Sequence, residues 1–266
     1  LNGMSQVFHK LLRDRVARGK YQYADRPIVI NNWEATFFDF DDKKLDQIID
    51  GAKPLGIEMF VLDDGWFGHR NDDNSSLGDW FVNQDKLTGG LKRVADRAHE
   101  HCMKFGLWFE PEMISVDSKL YKEHPDYALH EPNRGMTLSR NQLVLDFSRK
   151  EVVDNIYNQM CLILDKVPLD YIKWDFNRNL TEVFSSAADA EHQGEVSHRY
   201  VLGLYDLMER LVTRYPNILF EGCSGGGGRF DAGILYYMPQ SWPSDDTDAV
   251  ERLKIQYGTS LTYPIS

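Results

Sequence analysis

Cysteines and long apolar runs are scarce in this sequence, and each shortage excludes a class of protein. The 266 residues include three cysteines, an odd number at irregular spacing that gives neither a disulfide framework nor a metal-binding motif. We therefore expect a reducing, cytoplasmic location. No apolar run approaches the roughly 20 residues of a membrane-spanning helix, and the first residues lack the apolar core of a signal peptide. We expect no membrane partner.

Net positive charge is also missing. Acidic residues outnumber basic ones by 41 to 30, which gives a formal net charge of -11. Because such a chain would repel nucleic-acid phosphates, we expect no nucleic-acid partner and a neutral or cationic substrate. The sequence begins at Leu1 rather than at a methionine. We accordingly expect an excerpt from a longer polypeptide, or a processed one.

A glycine-rich phosphate-binding turn is absent after the first apolar run, where Trp33 and Glu34 stand instead. A doubly wound open sheet, which normally carries such a turn, is therefore the less favoured alternative. Apolar strands alternate with amphipathic helices about eight times, which is the pattern of a (β/α)8 TIM barrel of the α/β class. We predict one barrel domain over residues 1–266, without its C-terminal helix.

Hydrophobic spacing predicts where the individual elements lie. Helices are predicted over residues 5–18, 41–52, 91–104, 150–165, 196–215 and 249–257. Strands are predicted from the apolar runs near residues 28–31, 59–62, 105–109, 143–147, 171–176, 218–222 and 260–265. Several of these runs end in carboxylates or tryptophans. In a barrel the carboxyl ends of the strands carry the chemistry, so these endings predict the site.

The run from Tyr171 to Asn177 has two contrasting faces. Successive side chains of a strand point to opposite sides, so one face is apolar and the other carries Lys173, Asp175 and Asn177. A buried carboxylate without partners costs several kcal/mol, so this polar face needs a polar cavity. A barrel strand lining a substrate pocket explains the pattern better than a solvated edge strand, which is the alternative.

Asp175 and Asp245 are the candidate catalytic pair. Two carboxylates on opposite walls of a barrel mouth can cleave a glycosidic bond: one attacks the anomeric carbon, while the other protonates the departing oxygen and then activates water. Asp175 suits the attack because Lys173, on the same face, would hold it ionised. Asp245 follows Trp242 and a proline, an aromatic and rigid setting that favours it over Asp246 as the acid.

Tryptophans next to carboxylates indicate a carbohydrate pocket. Trp33 and Trp108 offer flat apolar faces to the C–H surfaces of a sugar, and Asp63 and Asp64 can each accept hydrogen bonds from hydroxyl groups. The alternative is that Trp33, Trp66 and Trp108 are ordinary core aromatics. Their repeated position beside carboxylates favours the pocket.

Five motifs follow one another along the chain. They are LDDGWF at 62–67, WFEPE at 108–112, KWDFNR at 173–178, CSGGGGRFD at 223–231 and WPSDDTDA at 242–249. In this order they resemble the motifs of the family 36 glycoside hydrolases, specifically the microbial α-galactosidases, from about Arg26 to the end of the chain. One such motif would be a weak signal, whereas five in a single order are highly specific.

The resemblance implies a role for each matching residue. Asp175 would be the nucleophile and Asp245 the acid/base in retaining hydrolysis of terminal α-D-galactosides, such as melibiose and raffinose-type oligosaccharides, without metal or cofactor. Retention predicts a separation of about 5 to 5.5 Å between the two carboxyl groups. The galactosyl site would be formed by Trp33, Asp63, Asp64, Trp108, Arg140, Lys173, Asn177, Cys223 and Gly226.

The resemblance also implies parts that this sequence lacks. Whole enzymes of the family carry a large β-rich domain before the barrel and a smaller β domain after it. The upstream domain can contribute to the neighbouring active site and to assembly, so we expect the full-length protein to be a homo-oligomer.

Several other readings stay open. Lys173 could form a Schiff base in an aldolase-like lyase, although a nearby carboxylate opposes the lowered pKa that this requires. The chain could be a non-catalytic carbohydrate-binding barrel fragment. Asp63, Asp64 and His69 are conceivable metal ligands by type. The glycine run 225–228 could cradle a phosphate, although it lacks the lysine of a nucleotide loop, so close approach to a sugar is favoured.

Overall fold

The protein is built on one parallel β-sheet, which we describe from a computed structural model covering residues 1–264. The strands of the chain are β1 (Val29–Asn31), β2 (Met59–Leu62), β3 (Lys104–Phe109), β4 (Met113–Ile114), β5 (Leu143–Val144), β6 (Tyr171–Trp174), β7 (Leu219–Gly222) and β8 (Gln240–Ser241). The main sheet has six strands in the order β1-β2-β3-β6-β7-β8, all parallel. Their carboxyl ends therefore meet at one edge.

Helices connect the strands. They are α1 (Asn2–Arg15), α2 (Trp33–Thr36), α3 (Asp42–Ala52), α4 (Gly90–Glu100), α5 (Lys119–Glu123), α6 (Lys150–Leu164), α7 (Val196–Arg214), α8 (Ala232–Tyr237) and α9 (Ala249–Ser260). Aspartate side chains cap several of their N-termini; Asp41, for example, accepts a hydrogen bond from the Lys44 N–H of α3 at 2.8 Å. The six helices predicted from spacing are all present, and α4 ends at Glu100, before the predicted end at residue 104.

The two faces of the sheet have different surroundings. Ile172, Trp174 and Phe176 belong to the main hydrophobic core, which also contains the buried faces of the helices. The opposite face forms a small separate cluster of Tyr21, Met59, Val61, Tyr171 and Leu219. Tyr21 reaches this cluster from the segment before β1, and its hydroxyl donates to the Asn217 carbonyl at 3.0 Å. The alternation predicted for residues 171–177 is the one the structure has.

Close packing on this second face needs a glycine at position 106. A Cβ there would lie 2.6 Å from Tyr171 Cδ1 and 2.9 Å from Val61 Cγ2, closer than carbon atoms can approach. Gly106 therefore lets β2, β3 and β6 come together around a narrow interior. The space that opens above this layer is polar, and it is where the candidate site lies.

The predicted eight-stranded barrel is only partly present. Within residues 1–264 the sheet is a curled, six-stranded half-barrel whose outer strands, β1 and β8, have no further partner. The run 143–147 is not a barrel strand as predicted, because β5 pairs antiparallel with β4 outside the main sheet, and β3 pairs directly with β6. Its apolar pattern arises from burial of Leu143, Val144 and Leu145 in the core.

The predicted last strand, 260–265, is also wrong where it can be described. Ser260 is the final residue of α9, residues 261–264 form no strand, and Ile265 lies outside the described residues. A short apolar run cannot by itself distinguish a strand from a helix end. Across residues 1–264, none of the helices combines the length and apolar character needed to cross a membrane.

Candidate active site

A cleft of about 380 Å³ opens at the carboxyl ends of the strands of the main sheet. Eight of the predicted site residues line it: Trp33, Asp63, Asp64, Trp108, Arg140, Lys173, Asn177 and Asp175. Asp245 lines the same cleft from the segment after β8. The two candidate catalytic carboxylates thus share one cleft, although Asp175 follows β6 and Asp245 follows β8 in the sequence.

Asp175 lies just after β6 and is buried. Its Oδ2 accepts a hydrogen bond from the Trp108 indole N–H at 3.1 Å, and its Oδ1 accepts one from the Phe176 backbone N–H at 2.8 Å. Burial by itself would raise the pKa of this carboxyl, but the Lys173 ammonium and hydrogen bonds from Asn177 and Cys223 lower it below its usual value. Asp175 is therefore an ionised carboxylate at neutral pH.

Lys173 connects the floor of the cleft to β2. Its ammonium donates to Asp63 Oδ2 at 2.9 Å, and the same oxygen accepts a hydrogen bond from the Asn31 amide. Burial would lower the pKa of Lys173, but Asp63 and, to a smaller extent, Asp175 raise it well above its ordinary value. A Schiff-base lysine must be an unprotonated amine, so this environment opposes the lyase reading.

Asp64 forms a buried ion pair with Arg70, from the loop that follows β2. Arg70 Nε and Nη2 donate to its two carboxylate oxygens at 2.7 and 2.8 Å, and both side chains are almost inaccessible to solvent. Burial nevertheless raises the pKa of Asp64, against the lowering effect of Arg70. Sequence reasoning did not identify Arg70, because nothing in its loop spacing marks it as a partner of a strand end.

The same contacts weaken the metal reading. Both oxygens of Asp64 already accept from Arg70, and Asp63 accepts from Lys173 and Asn31. The His69 ring packs edge-on against Phe81, with the ring centroids 6.4 Å apart. Within residues 1–264, no group of three or more His, Cys, Asp or Glu side chains is arranged to hold a metal ion.

Asp245 is exposed at the rim of the cleft and is held by a tryptophan. The Trp242 indole N–H donates to Asp245 Oδ1 at 3.0 Å, and the Arg252 guanidinium lies 4.4 Å above the Trp242 ring. Asp246 instead accepts from the Asp248 backbone N–H, at the start of α9. The structure thus separates the two adjacent aspartates, and Asp245 is the one that lines the cleft.

The tryptophans divide between the cleft and the core. Trp33 is half-buried at the cleft, its backbone N–H donates to Asn31 Oδ1 at 2.7 Å, and its ring packs edge-on against Phe38. Trp108 lines the cleft beside Asp175. Trp66 is fully buried in the core, where its indole N–H donates to the Trp108 carbonyl at 2.8 Å. The core reading is therefore correct for Trp66.

Cys223 and Gly226 are buried and are not among the residues that line the cleft within residues 1–264. The Cys223 thiol is buried, and burial together with the Asp175 charge raises its pKa, so it is a neutral group next to Asp175. Gly226 has a φ of +88°, and a Cβ would lie 2.9 Å from Ser244 Cα and 3.0 Å from the Asp245 nitrogen. Gly226 thus permits close packing beneath the Asp245 segment.

The cleft also contains residues that sequence reasoning did not propose as site residues. They are Val29, Asn31, Glu34, Val61, Tyr171, Glu221, Gln240, Trp242 and Thr247. Trp242 lies in a motif and could have been found from it. Asn31 could have been found from its position at the end of the first apolar run, whereas Glu221 and Gln240 face inward on strands whose orientation only the tertiary fold establishes.

The chain is similar in sequence to known proteins. The Melibiase family model matches residues 1–266. The chain is 64% identical over 266 residues to the α-galactosidase Mel36A of Lactobacillus acidophilus, and 59% identical over 266 residues to the α-galactosidase AgaA of Geobacillus stearothermophilus. Each alignment covers 100% of this chain and 36% of the relative, so the chain spans about a third of the length of these proteins.

Solved structures agree with the sequence comparison. The crystal structure of the GH36 α-galactosidase AgaA from Geobacillus stearothermophilus matches with a TM-score of 0.97 at 58% identity, covering 100% of this chain and 37% of that chain. A variant of AgaA in complex with raffinose matches with a TM-score of 0.97 at 57% identity, and the match covers 99% of this chain and 37% of that chain. Another AgaA variant, in complex with stachyose, matches with a TM-score of 0.97 at 58% identity, and the match covers 100% of this chain and 37% of that chain.

Proposed function

The chain belongs to the melibiase family, and from this membership we propose that the protein containing it is an α-galactosidase. Its substrates would be oligosaccharides with a terminal non-reducing α-D-galactosyl residue, such as melibiose and raffinose-type sugars. The relatives that carry the name α-galactosidase support this proposal, as do the family structures in complex with raffinose and with stachyose.

The proposed reaction uses Asp175 as nucleophile and Asp245 as acid/base. Asp175 attacks the anomeric carbon while Asp245 protonates the departing glycosidic oxygen, which leaves a covalent galactosyl-enzyme ester. Asp245 then takes a proton from water, which attacks the same carbon and releases galactose with its configuration retained. The observation that carries this proposal is that an ionised, buried Asp175 and an exposed Asp245 line one cleft.

The galactosyl group would be held by the side chains around this pair. Trp33 and Trp108 would contact its apolar C–H surface, while Asp63, Lys173 and Asn177 would bind hydroxyl groups. The remaining members of the proposed site are Asp64, Arg140, Cys223 and Gly226. Because Cys223 and Gly226 do not line the cleft within residues 1–264, their proposed contribution is to the shape and packing of the site.

For the whole protein we propose a complete (β/α)8 barrel flanked by β domains, in a homo-oligomer. The half-barrel of residues 1–264 supports closure, because its outer strands β1 and β8 present unpaired backbone within the described chain. The coverage of about a third of each relative leaves room for further domains. Residues 1–266 would then be the catalytic part.

Substitution of Asp175 tests the proposed function. In the full-length protein, Asp175→Ala should reduce hydrolysis of an aryl α-galactoside by at least about 10⁴-fold, because no nucleophile remains. Galactose binding, measured by calorimetry, should stay within a few-fold of the unsubstituted protein. Covalent labelling of Asp175 by a fluorinated galactosyl probe, located by mass spectrometry, would support the nucleophile role directly.

Three results would favour a competing function. Turnover by Asp175→Ala at the unsubstituted rate would remove Asp175 from the mechanism. Sugar binding without hydrolysis by the unsubstituted full-length protein would favour the non-catalytic scaffold. Loss of activity after borohydride treatment in the presence of substrate would favour a Schiff base at Lys173.

A further inference from the structure

Glu110 is a buried carboxyl at the end of β3 that the proposed mechanism does not use. It is 1% exposed, and it lies next to the residues that end β6. Its Oε1 accepts a hydrogen bond from the Asn177 backbone N–H at 2.6 Å and another from the Gln142 side-chain amide at 2.8 Å. One carboxyl oxygen therefore connects β3, the segment after β6 and the loop that carries Arg140.

The position of Glu110 explains why this connection is needed. The backbone of β6 is tied to β3 up to Asp175, whose N–H donates to the Phe109 carbonyl at 2.8 Å. After Glu110 the chain turns at Pro111 toward β4 and leaves the sheet. The Phe176 N–H donates to Asp175 Oδ1, and the next N–H that bonds toward β3 is that of Asn177. It donates to the Glu110 carboxyl in place of a strand carbonyl.

The charge around Glu110 determines its protonation state. Burial raises the pKa of Glu110 to about 8, and the negative charge of Asp175 adds to this effect, against the Asn177 N–H, Arg70 and Gln142. Arg70 is itself paired with Asp64. On the loop side, Gln142 is neutral and its carbonyl accepts from Arg178 at 2.6 Å. At neutral pH Glu110 therefore holds its partners as an uncharged acid.

We propose that Glu110 is a positioning residue for the galactosyl transfer step: its buried carboxyl accepts from the Asn177 N–H and the Gln142 amide, fixes the end of β6, and so aims Asp175. This inference rests on the proposed function, in which Asp175 is the nucleophile. Ionisation of Glu110 at alkaline pH would put two carboxylates next to each other and disturb the attacking group.

The test measures the rate of covalent labelling by a 2-fluorogalactosyl fluoride in the full-length protein, between pH 5 and pH 10. Fluoride needs little protonation on leaving, so the acid/base contributes little to this rate. In the unsubstituted protein the rate should fall about tenfold per pH unit above about pH 8, since the active form is the protonated one. In Glu110→Gln, which is isosteric and never charged, this alkaline fall should be lost, while the rate at pH 6.5 stays within about fivefold.

Two further variants keep the outcome interpretable. Glu110→Ala, which lacks the acceptor, should label about 10- to 100-fold more slowly at every pH. Asp79→Asn is the matched control: Asp79 is a buried acid that also accepts two hydrogen bonds, from the Lys119 and Leu120 backbone N–H groups, and it is not among the residues that line the cleft. Its alkaline limb should match the unsubstituted one, and circular dichroism at each pH verifies folding.

The outcomes distinguish this inference from the function it rests on. If the unsubstituted protein is not labelled at any pH, the proposed nucleophilic mechanism is wrong. If it is labelled, and Glu110→Gln keeps the same alkaline limb as the unsubstituted protein, Glu110 does not act through Asp175 and the inference is overturned. A shift seen equally in Asp79→Asn would also overturn it, because the limb would then report on stability.

Discussion

At the scale of single residues, Asp175 stays charged although it is buried, because the Lys173 ammonium lies near both Asp175 and Asp63. Lys173 donates directly to Asp63, and its field also acts on Asp175. Asp175 gains further hydrogen bonds from Trp108 and Phe176. A buried anion is tolerated when its partners and donors are already in place, and a nucleophile benefits because no reorganisation is needed during the reaction.

The role of Asp245 can be tested through the leaving group. Asp245→Ala should lower kcat/KM for melibiose by about 10² to 10⁴-fold, because the sugar alcohol must be protonated as it departs. An aryl α-galactoside with an acidic phenol leaves without that proton and should lose less than about tenfold in the glycosylation step. Steady-state and single-turnover kinetics measure the two effects.

The neighbouring aspartate supplies the control for this prediction. Asp246 faces the N-terminus of α9 and accepts from the Asp248 N–H, so Asp246→Ala should leave both substrates nearly unaffected. An equal loss on both substrates in Asp245→Ala would contradict the acid/base assignment.

At the scale of elements, β6 and α7 show how packing sets the position of the site. β6 has one face in the main core and the other on the cleft, so its register cannot slip without burying charge. α7 packs so closely against the segment after β5 that a Cβ at Gly203 would lie 1.8 Å from the Phe147 carbonyl oxygen. This contact therefore fixes the position of α7 relative to the segment after β5.

Gly203→Ala should destabilise the full-length protein by at least about 2 kcal/mol, because the added methyl group forces a backbone shift in a packed core. Gly51→Ala is the matched control, since Gly51 lies in α3 and a Cβ there meets no atom within 4 Å. That substitution should stabilise the protein by about 0.5–1 kcal/mol through helix propensity. Thermal unfolding of both variants measures the difference, and similar melting temperatures would refute the packing argument.

At the scale of the whole molecule, the net charge of -11 and the acidic cleft bear on the type of substrate. The field of such a protein repels anions over a distance set by the salt concentration, but it exerts little force on a neutral sugar. If the substrate is a neutral galactoside, as proposed above, we therefore expect charge to affect the selection among substrates and not the binding of that galactoside.

This gives a prediction about ionic strength. For a neutral aryl α-galactoside, kcat/KM should change by less than about twofold between low salt and roughly 0.5 M salt. The same galactoside sulfated at O6 should react more slowly, and its kcat/KM should rise with salt as the repulsion is screened. Equal salt dependence of the two substrates would show that the protein field does not act at the cleft.

The sequence predicted several of the residues that line the cleft at the carboxyl ends of β2 and β6, but not the inward-facing residues of β1, β7 and β8. Asp63, Lys173 and Asp175 could be placed because each follows an alternating or continuous apolar run, and the carboxyl ends of such strands converge. The barrel strand predicted at 143–147 was wrong. A run of apolar residues occurs both in a barrel strand and in any other buried segment, so the pattern could not distinguish the two. Glu110 lies in the WFEPE motif just after a predicted strand, but its hydrogen bond to Asn177 depends on the turn at Pro111.

The sequence alone determined which side chains can face a cavity, because the two-residue period of a strand is a local property of the backbone. It also determined the family, because five motifs in one order can be recognised without knowing which residues contact one another. Only the tertiary structure decided which groups are partners, such as Arg70 with Asp64 and Trp242 with Asp245. These pairs depend on how loops of different length pack over one sheet edge, and that packing is a property of the whole fold.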